Sequence, residues 1–412
     1  MLHNRYRLPG GEDAVVQAEV AMLRAGGVDV KLLTYDNDID SDHEFSELLR
    51  AGWSSAWSAK SQADVTELCR SFHPDVIHVH NFWFRLTPAV HSTAHSLGIA
   101  SVQTLHNFRL LCVNSQFLRN GKICEDCLGK APWRGVLHRC YRNSVVESTA
   151  VLRMIMLSRH RKTWRYMVDA FVVMSEHARS KFVEGGFPGE RFFVKPNFIE
   201  DPGITAALPS SSRTILYAGR LSPEKGLSYL LTAWSKAAVE SQDRLLIAGD
   251  GPERPVLEQQ AALLGLRHPQ LTFVGWKNRN EIFALLAAAR ALVLPSIWYE
   301  GGGCPVSLVE ALAVGRPAVV SEIGGMTEII LHEHNGLHAL PGNSASLANA
   351  LQRLLRNDAL ADNLGANART DYQAKFSPGQ NYSGLLRIYH FATERTKGLS
   401  RNSQEPGLLN KL

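Results

Sequence analysis

An alternation that runs twice along the chain constrains its fold most. Short apolar runs of strand length are separated by longer runs with helical periodicity, first before residue 200 and again after residue 213. In the first stretch Asp75–His80, Ala100–His106 and Ala170–Ser175 read as buried strands, each a compact apolar run ending in polar residues, with Phe192–Pro196 a shorter fourth. The clearest helix there is Ala14–Arg24, where Val16, Val20 and Leu23 recur at i, i+4, i+7 and Glu12 and Asp13 favour the N-terminus. Residues 200–213 contain DPG and LPSSS with few large apolar side chains and read as a linker. Beyond it Ile215–Ala218, Leu245–Ala248, Leu271–Val274, Ala291–Leu294 and Ala318–Ser321 read as strands, with helices at Ala284–Ala291 and Val306–Val314. Strand–helix alternation on both sides of a linker predicts two α/β domains with parallel sheets, whose ligands bind at the carboxyl ends of the strands. The expected division is 1–199, a linker over 200–213, a second domain over 214–376, a helix over 377–396 and a disordered polar tail over 397–412.

The 412 residues suit two or three domains at about 150 residues each. With 45% hydrophobic and 20% charged residues, the chain is not collagen-like, disordered or a coiled coil. No apolar run reaches the ~18 residues of a membrane span, and no secretory signal opens the sequence. Six cysteines are too few for a disulfide framework, so a cytoplasmic location is expected. The chain opens MLHNRYRLPGGED, where only Met1 and Leu2 precede a polar loop. Either the first strand is very short or the start lies too late.

Charged and glycine-rich loops follow several predicted strands. Gly219–Gly226 reads GRLSPEKG between a strand and a helix, so Arg220 and Lys225 stand beside a helix N-terminus, a setting suited to a diphosphate. Tyr299–Gly315 reads YEGGGCPVSLVEALAVG. Glu310 falls inside an apolar helix, where a carboxylate needs a partner or a ligand. Pro305 fits the first turn and Gly315 the C-terminal cap. Gly301, Gly302 and Gly303 let a ligand approach the backbone, and Glu300 stands at the mouth of that loop. His106 ends a buried strand, either as a core histidine or as a functional one. Gly10 and Gly11 precede the first helix and either cradle a substrate or form a plain turn. Gly249–Pro252 reads as a structural turn.

These segments resemble the retaining nucleotide-sugar glycosyltransferases of family 4, which have the GT-B fold and include bacterial polysaccharide and mannosyl transferases. PGGED, VIHVHN, TLHN, GRLSPEKG, IAGDGP, PSIWYEGG and VSLVEALAVGRPAV carry the resemblance over nearly the whole chain. It implies two Rossmann-like domains facing a cleft, an acceptor-side N-terminal domain, a donor-nucleotide-binding C-terminal domain, and a C-terminal helix that packs back on the first domain. By the resemblance, Arg220 and Lys225 bind the diphosphate of a nucleotide-diphosphate sugar, Glu310 the ribose hydroxyls and Glu300 the donor sugar. Gly302 and Gly303 offer amides, His106 supports catalysis beside the sugar, and Gly10 and Gly11 lie near donor and acceptor. The family spaces its two glutamates by seven residues, whereas Glu300 and Glu310 have nine between them, which reads as a two-residue insertion in the glycine run. The implied reaction moves a sugar to a hydroxyl of a saccharide or lipid-linked acceptor with retention, and needs no cofactor for its chemistry.

Two features stand apart. Cys112, Cys124, Cys127 and Cys140 fall within an insertion at about 112–140 and could hold a structural zinc, with His138 able to replace one thiol; otherwise they are reduced thiols. Lys130–Arg165 carries nine Lys/Arg against the single acid Glu147 in a chain of net charge +5. Its second part, Val145–Arg165, reads either as a basic amphipathic helix for an anionic inner-membrane surface or as a core-packed helix with a basic outer face. A nucleotide-sugar 2-epimerase of the same fold is disfavoured by the glutamate helix together with GRLSPEKG. A zinc-dependent nucleic-acid-binding protein would leave the second domain unexplained, so no nucleic-acid partner is expected.

Overall fold

The computed structural model describes residues 1–5, 11–36, 55–237 and 240–404. It divides into two compact units: Met1–Gln116 with Glu125–Lys195 and Tyr382 onward, and Phe117–Cys124 with Pro196–Asn381. The strands are β1 Leu2–Arg5, β2 Leu33–Asp36, β3 Val76–Val79, β4 Ala100–Thr104, a hairpin of β5 Leu118–Arg119 and β6 Lys122–Ile123, β7 Ala170–Val173 and β8 Phe192–Val194. Excluding the hairpin, they form one parallel sheet in the order β2-β1-β3-β4-β7-β8. The second unit holds β9 Thr214–Ala218, β10 Arg244–Ala248, β11 Leu271–Gly275, β12 Ala291–Leu294, β13 Ala318–Ser321 and β14 Gly336–Ala339. These make a second parallel sheet, β11-β10-β9-β12-β13-β14. Parallel strands with helical crossovers are covered on both faces, which is why β4, β7, β12 and β13 are buried throughout.

The first strand is longer than the sequence suggests. His3 and Asn4 continue it because their polar groups are satisfied inside: His3 Nε2 meets Asp13 Oδ1 at 2.8 Å, and Asn4 exchanges bonds with Asn81 and the Arg85 amide. The helix expected at Ala284–Ala291 lies at Arg279–Ala288. Asn278 and Glu281 form a capping box that starts it earlier, and Ala291 already belongs to β12. Residues 200–213 are not a free linker. They belong to the second unit, where Arg316 donates to Ala207 O at 2.6 Å and the Ser210 amide to Asp362 at 2.8 Å.

The last helix is Pro378–Gln404, so the segment expected to be a disordered tail is helical as far as Gln404, and residues 405–412 lie outside the described ones. From Tyr382 this helix belongs to the first unit, where Leu385, Ile388 and Ala392 are buried and Phe391 packs against Phe193 at 4.9 Å. The basic stretch is not one amphipathic helix. Val145–His160 and Thr163–Tyr166 are separated at Lys162, which is left-handed at φ 53°. The longer helix buries Ser148, Val151, Met154, Ile155 and Ser158 while Val145, Val146 and Met156 face solvent.

Arg290 ties together the loops beneath the second sheet. Its fully buried guanidinium donates to Leu354 O at 2.6 Å, to Ser212 O at 3.2 Å and to Asp358 at 2.6 Å. Arg290→Met should strand the Leu354 and Ser212 carbonyls and lower unfolding stability by about 1–3 kcal/mol. Urea unfolding followed by circular dichroism checks this, and an unchanged midpoint would contradict it.

Candidate active-site residues

In the second unit the predicted loop forms at the carboxyl end of β9. Gly226 closes it in the left-handed conformation, φ +70°, and a side chain there would meet Pro295 O at 2.1 Å. Gly249, from the GDGP turn, packs so closely on this loop that a Cβ would lie 1.9 Å from Gly219 O. That turn is therefore a structural wedge under the loop after β9.

Each expected ligand-binding charge in this unit has an internal partner. Lys225 Nζ lies 2.9 and 2.6 Å from the two oxygens of Glu300, whose side chain is 4% exposed. Ser296 also donates to Glu300, and the Lys225 ammonium sits 5.7 Å from the Trp298 ring centroid. Arg220 donates to Glu224 at 2.8 Å and Ser222 to the same carboxylate at 2.7 Å. Burial raises the Glu224 carboxyl, but the Ser222 hydroxyl, its own amide and Arg220 outweigh it and hold it below its ordinary value. Arg279 lies 3.3 Å from Glu310. Burial nevertheless pushes the Glu310 carboxyl up, against the pull of that guanidinium. Glu224, Arg279, Ser296 and Trp298 were not picked out by sequence, because nothing local marks the partner of a distant charge.

The glycine run folds into a tight turn. Glu300, Gly301 and Gly303 are left-handed at φ 52°, 58° and 86°, and the Gly303 amide turns back to Glu300 O at 2.9 Å. Helix Val306–Ala313 follows with Pro305 at its cap and no side-chain capping bond.

The first unit places His106 just beyond β4, and Gly11 begins the helix Gly11–Ala25; Gly10 lies outside the described residues. His106 Nε2 is 3.0 Å from His80 Nδ1. His80 Nε2 faces Glu19 at 3.4 Å, and Glu19 pairs with Lys195 at 2.6 Å. His78 bonds Tyr389 and Thr104 through its two nitrogens. Alternation along β3 puts His78 and His80 on one face of the sheet, a signal already present in VIHVH. Ligand atoms of Glu19, His78 and His80 lie within 4.8 Å of one another, the one metal-sized group among the described residues. The donors do not suit a cation: both His78 nitrogens are engaged and the Lys195 ammonium already holds Glu19.

Cys112, Cys124, Cys127, Cys140 and His138 do not form such a group, so the expected zinc cage is not assembled. Cys124 ends the hairpin and belongs to the second unit, whereas Cys112, which donates to Asn114 at 2.9 Å, Cys127 and Cys140 belong to the first.

Two family descriptions match this chain: "Glycosyl transferase 4-like domain" over residues 10–197 and "Glycosyl transferases group 1" over residues 205–371. The chain belongs to the glycosyltransferases, and its fold is GT-B. An uncharacterised glycosyltransferase of Methanocaldococcus jannaschii is 34% identical over 48% of this chain and 49% of its own length. A phosphatidyl-myo-inositol mannosyltransferase of Mycobacterium leprae is 33% identical over 55% of this chain and 60% of its own. The chain thus spans about half to three-fifths of these relatives. The solved structure of Anabaena HepE in complex with UDP has a TM-score of 0.64 at 17% identity, covering 97% of this chain and 99% of that one.

The buried histidines make stability depend on pH. Burial holds His78 and His80 below the ordinary 6.5, and brings His91 to about 4. Below pH 6.5 the unfolded chain takes up protons that the folded one refuses, so stability should fall with pH from about 6.5 downward. The slope is roughly 1 kcal/mol per pH unit for each such proton. Denaturant titrations at about pH 7.5, 6 and 5, which bracket the histidine range, read this out, and His91→Asn should flatten the slope. A pH-independent midpoint would contradict the assignment.

Proposed function

We propose that the protein transfers a sugar from a nucleotide-diphosphate sugar to a hydroxyl of a saccharide or lipid-linked acceptor, with retention at the anomeric carbon. The observation that carries this reading is the pairing of the two cations on the loop after β9, Lys225 with Glu300 on the glycine-rich turn before helix Val306–Ala313 and Arg220 with Glu224, each held by a carboxylate that a diphosphate can displace. HepE, which shares the fold, was solved with UDP, and this makes UDP-sugars the first donors to test. In this reading Lys225 and Arg220 take the diphosphate, Gly302 and Gly303 supply amides, Glu310 accepts from the ribose hydroxyls, and Glu300, released from Lys225, accepts from the sugar. The same reading gives His106, Gly10 and Gly11 roles toward the sugar or its acceptor. As the bond from the anomeric carbon to the phosphate oxygen breaks, charge grows on the diphosphate, where cations and amides stabilise it. The acceptor oxygen bonds the same face of that carbon and its proton passes to the departing diphosphate.

The mannosyltransferase relative acts, by its name, on a phosphatidyl lipid. Exposed Trp133, Leu137, Val145, Val146 and Tyr166, interleaved with exposed Arg134, Arg142 and Lys162, suit a peripheral site on an anionic membrane surface. Among the described residues, no helix is long and apolar enough to cross a membrane. Binding to anionic vesicles should therefore be lost at high salt, and salt-insensitive or absent sedimentation would contradict the surface role.

A panel of UDP-, GDP- and ADP-sugars, with product configuration read by NMR, tests the reaction; an inverted product or hydrolysis alone would contradict it. Arg220→Ala should cut transfer about tenfold or more, the worth of one charge-assisted bond. Glu310→Gln should weaken binding of the free nucleotide, whereas Glu300→Gln should depress transfer more than nucleotide binding. Equal losses in calorimetry for both glutamate variants would overturn this division of roles.

A further inference from the structure

The first unit buries a chain of ionisable side chains that the reaction as described does not use. Lys195 Nζ lies 2.6 Å from Glu19 Oε1, Glu19 Oε2 faces His80 Nε2 at 3.4 Å, and His80 Nδ1 meets His106 Nε2 at 3.0 Å. The His80 and His106 rings stack with centroids 5.3 Å apart. The side chains of Glu19 and His80 are 1% and 0% exposed, and neither Glu19 Oε2 nor His80 Nε2 has any other hydrogen-bond partner. His3 stands edge-on to His80 at 6.4 Å and is turned to Asp13. His78 lies 4.3 Å from His80, with its own nitrogens spent on Tyr389 and Thr104.

The acceptors place the protons. An ionised carboxylate has lone pairs only, and a neutral imidazole has one N–H and one lone pair. Glu19, paired with the Lys195 ammonium, tolerates His80 Nε2 beside it only when that nitrogen carries hydrogen, since two lone pairs facing each other in a dry interior repel. A neutral His80 then has its lone pair at Nδ1. His106 Nε2 must donate into that lone pair, which leaves His106 Nδ1 bare.

We propose that Lys195, Glu19 and His80 are positioning residues that fix His106 in its Nε2–H tautomer, so that it presents an Nδ1 lone pair to a substrate hydroxyl and no N–H to an oxyanion. Burial first, and then the neighbouring His80, keep His106 well below the ordinary histidine range, in line with a neutral ring. The consequence for substrate is specific: the group recognised at His106 is a hydroxyl donor, and a sugar that is deoxygenated or O-methylated there loses the contact. The use of the lone pair in turnover rests on the proposed transfer reaction, but the tautomer itself does not.

The test is a long-range proton–nitrogen correlation spectrum of the full chain labelled with nitrogen-15 histidine, His106 being assigned from His106→Gln. The wild type should show a neutral His106 protonated at Nε2. Glu19→Gln is isosteric. Lys195 retains the amide oxygen, so the amide NH2 turns to His80 Nε2 and the chain reverses, moving the His106 proton to Nδ1. That variant gives up a buried ion pair and should melt lower, yet once folded it should keep its affinity for UDP and lose about tenfold or more in kcat. If it does not fold, His80→Phe keeps the ring stack without the nitrogens and should release His106 into mixed tautomers. A wild-type His106 that is charged or protonated at Nδ1 would overturn the proposal, as would an unchanged His106 spectrum in a folded variant. Failure of the wild type to transfer sugar from any donor would sink the proposed reaction and leave the tautomer pattern readable.

Discussion

A buried carboxylate stays charged only beside a cation, and the ion pair between Lys225 and Glu300 is where this structure depends on that rule most. Glu300 lies almost out of water on a left-handed turn, and both its oxygens are within 3 Å of one ammonium. Removing the lysine would leave the carboxylate uncompensated, which typically costs about 3–5 kcal/mol. The pair therefore holds the loop after β9 against the glycine run before helix Val306–Ala313. In the proposed reaction a diphosphate would offer Lys225 an alternative anion, and the exchange would free Glu300 for hydroxyl groups.

The same logic recurs in the other pairs. Arg220 with Glu224 and Arg279 with Glu310 store charge at the carboxyl end of the second sheet. In the first unit Lys195 holds Glu19, but there the pair is joined to imidazoles, and its effect is to order protons along His80 and His106. Arg290 and Arg316, equally buried, bond mainly to backbone carbonyls and are structural. The distinction lies in the partner: a carboxylate can be exchanged for a ligand anion, whereas a carbonyl below the sheet has no such competitor.

Legibility in the sequence followed burial. β3, β4, β7, β9, β12 and β13 are readable because strands covered on both faces are near-continuous apolar runs, and β8, β10 and β11 are readable as short apolar runs although only partly buried. β1 is not, because LHNR hides two buried polar residues whose partners, Asp13 and Asn81, are remote. β2 and β14, LTYD and GLHA, are short and mixed. In the site, GRLSPEKG and the glycine run announced themselves through charge and glycine content, and the buried Glu310 through its apolar flanks. The ion-pair partners did not, since Lys225 and Glu300 are 75 residues apart and only the fold joins them. The four cysteines lie close in sequence but assemble no metal-sized group among the described residues, which leaves the alternative of reduced thiols.

The central claim is that these cations are held ready for a diphosphate. Calorimetric titration of the full chain with UDP and with uridine, each at low and high salt, tests it most directly. UDP should bind at least about tenfold tighter than uridine, as one charge-assisted contact requires, and the advantage should shrink with salt and in Lys225→Met. Equal affinities for UDP and uridine, or an advantage that survives in Lys225→Met, would contradict it.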